Sequence, residues 1–386
     1  MKRRDFLFTS AAAGVAVLAP RFAFAQGAAP AGYSRLLVLV ELKGGNDGLN
    51  TVVPYADPAY YALRPRIAIR RDDVLQLDGR GGLHPSLAPL MPVWQARELA
   101  VVQGVGYPSP NLSHFRSIEI WDTASRAEEY LSDGWLARAF ASVPVPKSFA
   151  ADGVVVGASE LGPLAGGGTR AVALANTEQF LRQAKLAHPA QGAGNRALAH
   201  LLKVEADVVQ AASGLNGNRE FRTPFPQGPF GNAVKTAAQV VASEGGVAAV
   251  RISLNGFDTH QNQLGQHANL LRQLAEGLAA LRAALQELGR WDSTLVLTYA
   301  EFGRRAQENG SNGTDHGTAN AHFALGGRVR GGLYGEAPRL DRLDGGNLLY
   351  AVDFRSLYAT VLERWWGVPS AGPLGGRFST LDLVKA

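Results

Sequence analysis

Thr294–Arg305, TLVLTYAEFGRR, followed by Glu308–Arg330, ENGSNGTDHGTANAHFALGGRVR, is the stretch whose reading decides the fold. Its apolar, β-branched opening from Thr294 to Thr298 predicts a buried parallel strand, and charge arrives where that strand stops, at Glu301, Arg304 and Arg305. A loop rich in Gly and Asn then brings Asp315-His316-Gly317 in front of a second apolar run, Phe323 to Leu325. In an open α/β sheet a ligand sits outside the carboxyl ends of the strands, so this is where a site belongs.

The same pattern recurs upstream. Val247 to Leu254 (VAAVRISL) predicts a strand that ends in Asn255-Gly256-Phe257-Asp258-Thr259-His260, and leucines between Leu264 and Leu288 then recur at the helical period of about 3.6 residues. A strand, helix, strand crossover of this kind is right-handed and sets Asp258, His260 and Glu301 on one edge. Leu36 to Leu42 (LLVLVEL) is a near-continuous apolar run, as in a central strand covered on both faces, and its flexible turn leaves Asn46 and Asp47 at the carboxyl end. An Asx-turn or helix cap accounts for Asp47 equally well.

Leu87 to Trp94 reads as a short helix and Leu99 to Val105 as another buried strand. That strand leads through Asn111-Leu112-Ser113-His114 into an amphipathic helix carrying Ile118, Ile120 and Trp121. Ser113 therefore stands at a helix N-terminus, where free N–H groups favour an anion or a developing alkoxide; plain capping by Ser113 or Asn111 is the competing reading. Residues 133–246 read as an elaboration: a strand at Val154 to Val156, helices at Thr177 to His188 and Asn195 to Ser213, and a surface or lid loop from Gly214 to Gly231. Asp353 to Trp366 closes the chain as a helix. The expected fold is α/β, a three-layer sandwich with a mostly parallel central sheet and helices on both faces.

With 386 residues, 46% of them hydrophobic and 18% charged, the chain can bury a sizeable core and is not disordered in bulk. Lys2-Arg3-Arg4-Asp5-Phe6-Leu7, an Ala-rich apolar stretch to Leu18 and the small residues of Ala23-Phe24-Ala25 predict a twin-arginine type signal over residues 1–25, leaving 26–386 as a single domain. Its expected partner is the twin-arginine export machinery and its expected location periplasmic or otherwise exported. The apolar stretch is too short to serve comfortably as a retained anchor, and no other stretch is long enough for a stable membrane span. Of 38 basic and 33 acidic side chains, 34 and 32 remain beyond residue 25, so the basic balance is partly a property of the leader. No Lys/Arg stripe with interleaved aromatics points to nucleic acid. With no cysteine, disulfides, thiolate ligands and a cysteine nucleophile are excluded.

Seven groups stand at predicted strand ends: Asp47, Ser113, Asp258, His260, Glu301, Asp315 and His316. Carboxylates mixed with imidazoles suit one or two divalent ions; zinc and manganese match the mixture, whereas magnesium or calcium would have less need of histidine.

GGNDGLN (44–50), NLSHFRS (111–117), GFDTHQNQ (256–263), AEFGRR (300–305), NGSNGTDHGTA (309–319) and DFRSLYATVL (353–362) together resemble the bacterial exported family called domain of unknown function 1501, over nearly the whole mature chain. More distantly, that family resembles the alkaline phosphatase superfamily, with its sulfatases and phosphomutases. The resemblance implies an acidic ligand after the first strand at Asp47, a hydroxyl nucleophile at Ser113 and a metal held by Asp258 and His260. It aligns Glu301 with the next ligand, and Asp315-His316 with the last. A second alignment makes Asp315-His316 the Asp-His pair and His322 the final ligand. Asn46, His114, Arg116, Arg304 and His322 would then surround a small anionic ester, the arginines offering planar forks of donors unless they stand in solvated salt bridges.

Three departures stand out. Phe302 occupies the place of an imidazole, Glu301 that of an Asp, and Asp258 lies two rather than four residues before its His. Set against the pattern of the resemblance, these departures imply that one metal position is weakened or lost. The implied activity is metal-dependent hydrolysis of phosphate or sulfate esters; the alternative is a non-catalytic exported binding or assembly protein on the same scaffold. A dinucleotide oxidoreductase fits poorly, because Gly44-Gly45-Asn46-Asp47-Gly48 lacks the glycine spacing of that turn.

Overall fold

Leu36–Lys43 forms strand β1 of the computed structural model, which describes residues 32–185, 196–215 and 219–385. Val38, Val40 and Leu42 join one apolar cluster, Leu37 and Leu39 another. Because successive side chains of a strand point to opposite faces, β1 is covered on both sides. The sheet continues with β2 (Leu99–Gly106), β3 (Ala151–Val156), β4 (Ala171–Leu174), β5 (Val247–Asn255), β6 (Thr294–Tyr299), β7 (Asn320–Leu325), β8 (Gly332–Gly335) and β9 (Val352–Asp353). Their order is β8-β2-β7-β6-β1-β5-β3-β4, with β9 also pairing with β2. Leu37 lies opposite Ala249 on β5 and Leu295 on β6.

Every pairing is parallel except those of β7, which runs against both β2 and β6. Reversal of this one strand has a local effect: the loop of residues 300–319 leaves and re-enters the sheet at the same edge, where β1, β2 and β5 also end. The turn after β1 supplies α1 (Gly48–Thr51). On one face, α4 (Pro229–Ala242) and α5 (Gln263–Glu287) bring Val234, Leu271, Leu274 and Leu278 against the strands. On the other, α2 (His114–Thr123), α3 (Trp135–Ser142) and α6 (Phe354–Ala359) supply Trp121, Trp135 and Tyr358. The three layers are those expected.

Several local readings change. Prolines at 85 and 89 turn the expected helix at Leu87 into a 3-10 segment, Pro85–Leu90, before regular helix at Met91–Gln95. The closing helix is α-helical to Ala359 and widens into a π-helix over Thr360–Trp366. Its Trp365 and Trp366 donate to the carbonyls of Leu36 and Arg35, so the pair is packing. The turns at 52–83 form an unanticipated three-stranded sheet, Val52–Val53, Leu75–Gln76 and Gly82–Leu83. In the elaboration, helices run over Thr177–Ala184 and Arg196–Gly214, and α4 begins within the expected loop. The end of the Thr177 helix to His188, the start of the next at Asn195, residues 216–218 of the loop and the signal over 1–25 lie outside the described residues. Among the described residues no helix is long and apolar enough to cross a membrane.

Candidate metal centre

The turn after β1 is built around a close approach. Gly44 and Gly45 adopt φ of +117° and +81°, and a Cβ on Gly45 would meet the Phe302 ring at 2.4 Å. A side chain at either position would be strained, so the turn can lie flat over Phe302 only as glycine. Phe302 itself is buried, its ring centroid 4.9 Å from that of His114 and 4.5 Å from that of His316. It forms an apolar floor beneath both imidazoles, in the place where the resemblance puts another imidazole.

Three histidines converge above this floor, and each is oriented by its Nδ1. The first residue of α2, His114, has Nδ1 2.9 Å from Glu301 Oε1, which also accepts from the Gly44 amide at 2.8 Å. His316 Nδ1 lies 2.8 Å from the Leu112 carbonyl and His260 Nδ1 3.4 Å from Asp315 Oδ1. Carbonyls and carboxylates only accept, so a neutral imidazole that keeps its proton on Nδ1 for these partners has Nε2 free to ligate an ion. All three Nε2 atoms face Asp258: His260 at 3.0 Å and His316 at 3.2 Å from Oδ1, His114 at 3.4 Å from Oδ2. His260 Nε2 and His316 Nε2 are 2.9 Å apart.

Two lone pairs at that distance repel unless a proton or a cation lies between them. With bonds near 2.1 Å, donors around one ion stand roughly 3.0–3.4 Å apart, close to the three Nε2–Asp258 separations and the His260–His316 separation. One ligand atom from each of His114, Asp258 and His316 lies within 4.8 Å of the others.

Electrostatics agree with the geometry. Burial works to raise the Asp258 carboxyl, but the hydrogen bond and charge of Arg304, with His316 and His260, hold it down at about 2, so it is ionised at any ordinary pH. The bond to Glu301 raises His114 above its ordinary value, while burial lowers His316.

Arg304 is the chief correction to the expected substrate contacts. It is buried, donates to the carbonyls of Gly45 (2.7 Å), Thr314 (3.0 Å), Phe257 (3.0 Å) and Gly44, and pairs with Asp258 Oδ1 at 2.7 Å. No face of the guanidinium remains for an ester. It acts as an internal cation that fastens three loops beside the donor cluster.

Asp47 is likewise taken up. Oδ1 caps α1 through the amides of Leu49 and Asn50, while Oδ2 pairs with Arg64 at 2.6 Å and accepts from Gln263. Burial would raise this carboxyl; Arg64 overcomes it and leaves the pKa lowered. Asn46 is buried between Thr51, Asn320 and His267. Arg116 reaches away to the carbonyls of Arg126, Ala127 and Glu129 and to Glu119. His322 is buried on β7 with neither ring nitrogen hydrogen-bonded, and burial pushes it down to about 3. These four stand apart from the cluster because other parts of the fold claim their polar atoms or, for His322, the core encloses them.

Glu301 and Asp315, expected as ligands, stand one step out and hold the imidazoles that point inward. Such outer partners set tautomer, orientation and basicity. His114, expected to touch substrate, is instead among the inward donors; its signal was its place directly after a helix-start serine. The Leu112 carbonyl and Gly44 amide leave no side-chain signal at all. Ser113 caps α2 without a side-chain bond, is exposed, and its hydroxyl bonds no described residue.

Among solved structures, the chain is similar to the PsFucS1 sulfatase from Pseudoalteromonas sp., at 12% identity and TM-score 0.40, covering 90% of this chain and 70% of that one. It is similar to a magnesium-bound mutant of TAB5 alkaline phosphatase, at 12% identity and TM-score 0.35, covering 78% and 94%. A third is the C-terminal periplasmic domain of EcEptC from Escherichia coli in complex with zinc, at 10% identity and TM-score 0.36, covering 76% and 72%. No curated protein matches the sequence. Residues 83–368, which include every member of the donor cluster, match the family described as "Protein of unknown function (DUF1501)", and the chain belongs to that family.

Proposed function

We propose that this protein is an exported hydrolase of phosphate or sulfate esters that works with one borderline divalent ion, zinc before manganese, held by His114, Asp258, His260 and His316. The observation that carries this reading is the convergence of three imidazole Nε2 atoms on one ionised carboxylate. A donor set of three imidazoles and one carboxylate favours zinc over magnesium or calcium. When bound, the ion would supply Lewis acidity toward an ester oxygen.

The remaining roles fall to the chain. Ser113, with an unengaged hydroxyl at the N-terminus of α2, is the proposed nucleophile. The first-turn amides of α2, which have no partner within the helix, offer hydrogen bonds to the anionic ester. Arg304 offsets the charge of Asp258, and Arg64 holds the charge of Asp47 away from the centre, which supports one ion rather than two. The Arg3-Arg4 leader supports export by the twin-arginine route to the periplasm, with a mature chain beginning at Gln26.

The test is zinc titration of the purified mature protein with turnover of aryl phosphates and sulfates, comparing wild type, His316→Ala and Ser113→Ala. The reading expects one ion per chain, turnover that depends on it, loss of both in His316→Ala, and loss of turnover alone in Ser113→Ala by a factor on the order of a thousand. Absence of zinc binding in the wild type would end it. One observation favours a second reading, a binding protein that holds the ion without turnover: Ser113 hydrogen-bonds no base. Zinc uptake without hydrolysis of any ester would select that alternative.

A further inference from the structure

Phe115 is 89% exposed and Tyr130 74%, while no other large apolar side chain among the described residues exceeds 46%. Single exposed apolar residues are ordinary. These two are extreme, and both are linked to the start of α2. Phe115 directly follows the inward donor His114 in the first turn of α2. The next residue, Arg116, lays its guanidinium 3.8 Å from the centre of the Tyr130 ring. The same guanidinium bonds the carbonyls of Arg126, Ala127 and Glu129, so the turn that carries Tyr130 is tied to α2. Tyr130 is therefore held in place although it faces solvent, and Phe115 has no core to reach.

We propose that Phe115, with Tyr130 held against α2 by Arg116, is a specificity element that receives the organic part of the ester, and that the preferred substrate presents a flat apolar face there. An aromatic ring and the C–H face of a sugar share that chemistry. The inference rests on the hydrolase reading, since its link to the proposed centre is that Phe115 directly follows the donor His114 at the start of α2. A small alkyl ester has nothing to lay against it. Covering part of one phenyl ring removes enough apolar surface from water to change selectivity by about tenfold.

The experiment measures kcat/KM of the zinc-loaded protein for the phenyl, hexose and methyl esters of phosphate, and the same sulfate series, in wild type, Phe115→Ala, Phe115→Trp and Tyr130→Ala. Each variant is read against the same wild type, so intrinsic leaving-group reactivity cancels. In Phe115→Ala the preference for phenyl or hexose over methyl should fall about tenfold, chiefly through KM. Phe115→Trp, which keeps a flat face, should hold it within about twofold, and Tyr130→Ala should lower it by a smaller factor. Whether the phenyl or the hexose arm falls tells which ring the site takes. An unchanged ratio in Phe115→Ala overturns the proposal. So does a wild-type dimer that becomes monomeric in Phe115→Ala with selectivity intact, because the ring then serves contact between copies. If the wild type hydrolyses methyl and phenyl esters alike, the centre stands and only the specificity element falls; if it hydrolyses none, the hydrolase reading falls first.

Discussion

Glu301 shows how one atom's partner can decide a residue's role. Its Oε1 holds both the Gly44 amide and His114 Nδ1, and the bond to His114 is the largest cause of the raised pKa there. A proton competes with an ion for the same imidazole, so a raised pKa moves the acid limit of ion uptake upward. Glu301→Gln should therefore shift the acid limb of zinc binding to lower pH, and weaken the plateau affinity at higher pH by about 10- to 100-fold through lost orientation. Zinc titrations across pH separate the two effects; a limb that stays put would show that Glu301 does not set the imidazole. Sequence placed Glu301 and Asp315 at the correct edge and could go no further, because strand-end position fixes neighbourhood and not which atom faces inward. Asp47 was similarly opaque: Arg64, which neutralises it, lies 17 residues on in a stretch without periodicity.

At the scale of elements, the turn after β1, the turn after β5 and the loop after β6 are fastened through one buried side chain. Replacing Arg304 by Met would leave the carbonyls of Gly44, Gly45 and Thr314 without their donor. The expected loss of stability is on the order of 3 kcal/mol or more, with weakened zinc affinity, read by urea unfolding and metal titration. A variant as stable as wild type would show the guanidinium to be dispensable. Strands β1, β5 and β6 were legible because their apolar runs end abruptly in charge, and α5 because its leucines keep one period. The direction of β7 was not. An apolar run reads alike in either sense, and only pairing with β2 and β6 reveals the reversal.

Across the molecule, a second buried charge group lies on the α2 face of the sheet. Glu41 on β1 pairs with Arg251 on β5 at 2.7 Å, Arg251 donates to the Tyr299 hydroxyl on β6 at 2.8 Å, and that hydroxyl lies 3.4 Å from Asp122 on α2. Burial, opposed by Arg251 and reinforced by Glu41, pushes Asp122 up to about 7. The folded protein thus keeps a proton that the unfolded chain gives up near 3.8. Below that value the group's contribution to stability is fully present; it falls as pH rises and is gone above about 7. Asp122→Asn should remove this slope and gain on the wild type between about pH 4 and pH 7, measured as denaturation midpoints. Parallel pH curves for the two proteins would mean that the carboxyl titrates normally. The three-layer plan was readable from composition and strand count, but this network was not, since its members come from four elements far apart in the chain.

Arg304 has one further consequence. A permanent positive charge already rests on Asp258, and the surrounding carbonyls are satisfied, so the donor loops keep their shape whether or not anything fills the space between the imidazoles. Small domains that fold only around zinc collapse when stripped of it. Here the vessel is finished beforehand: chelation should leave it standing, refilling should restore it, and the affinity for the guest goes wholly into holding the guest.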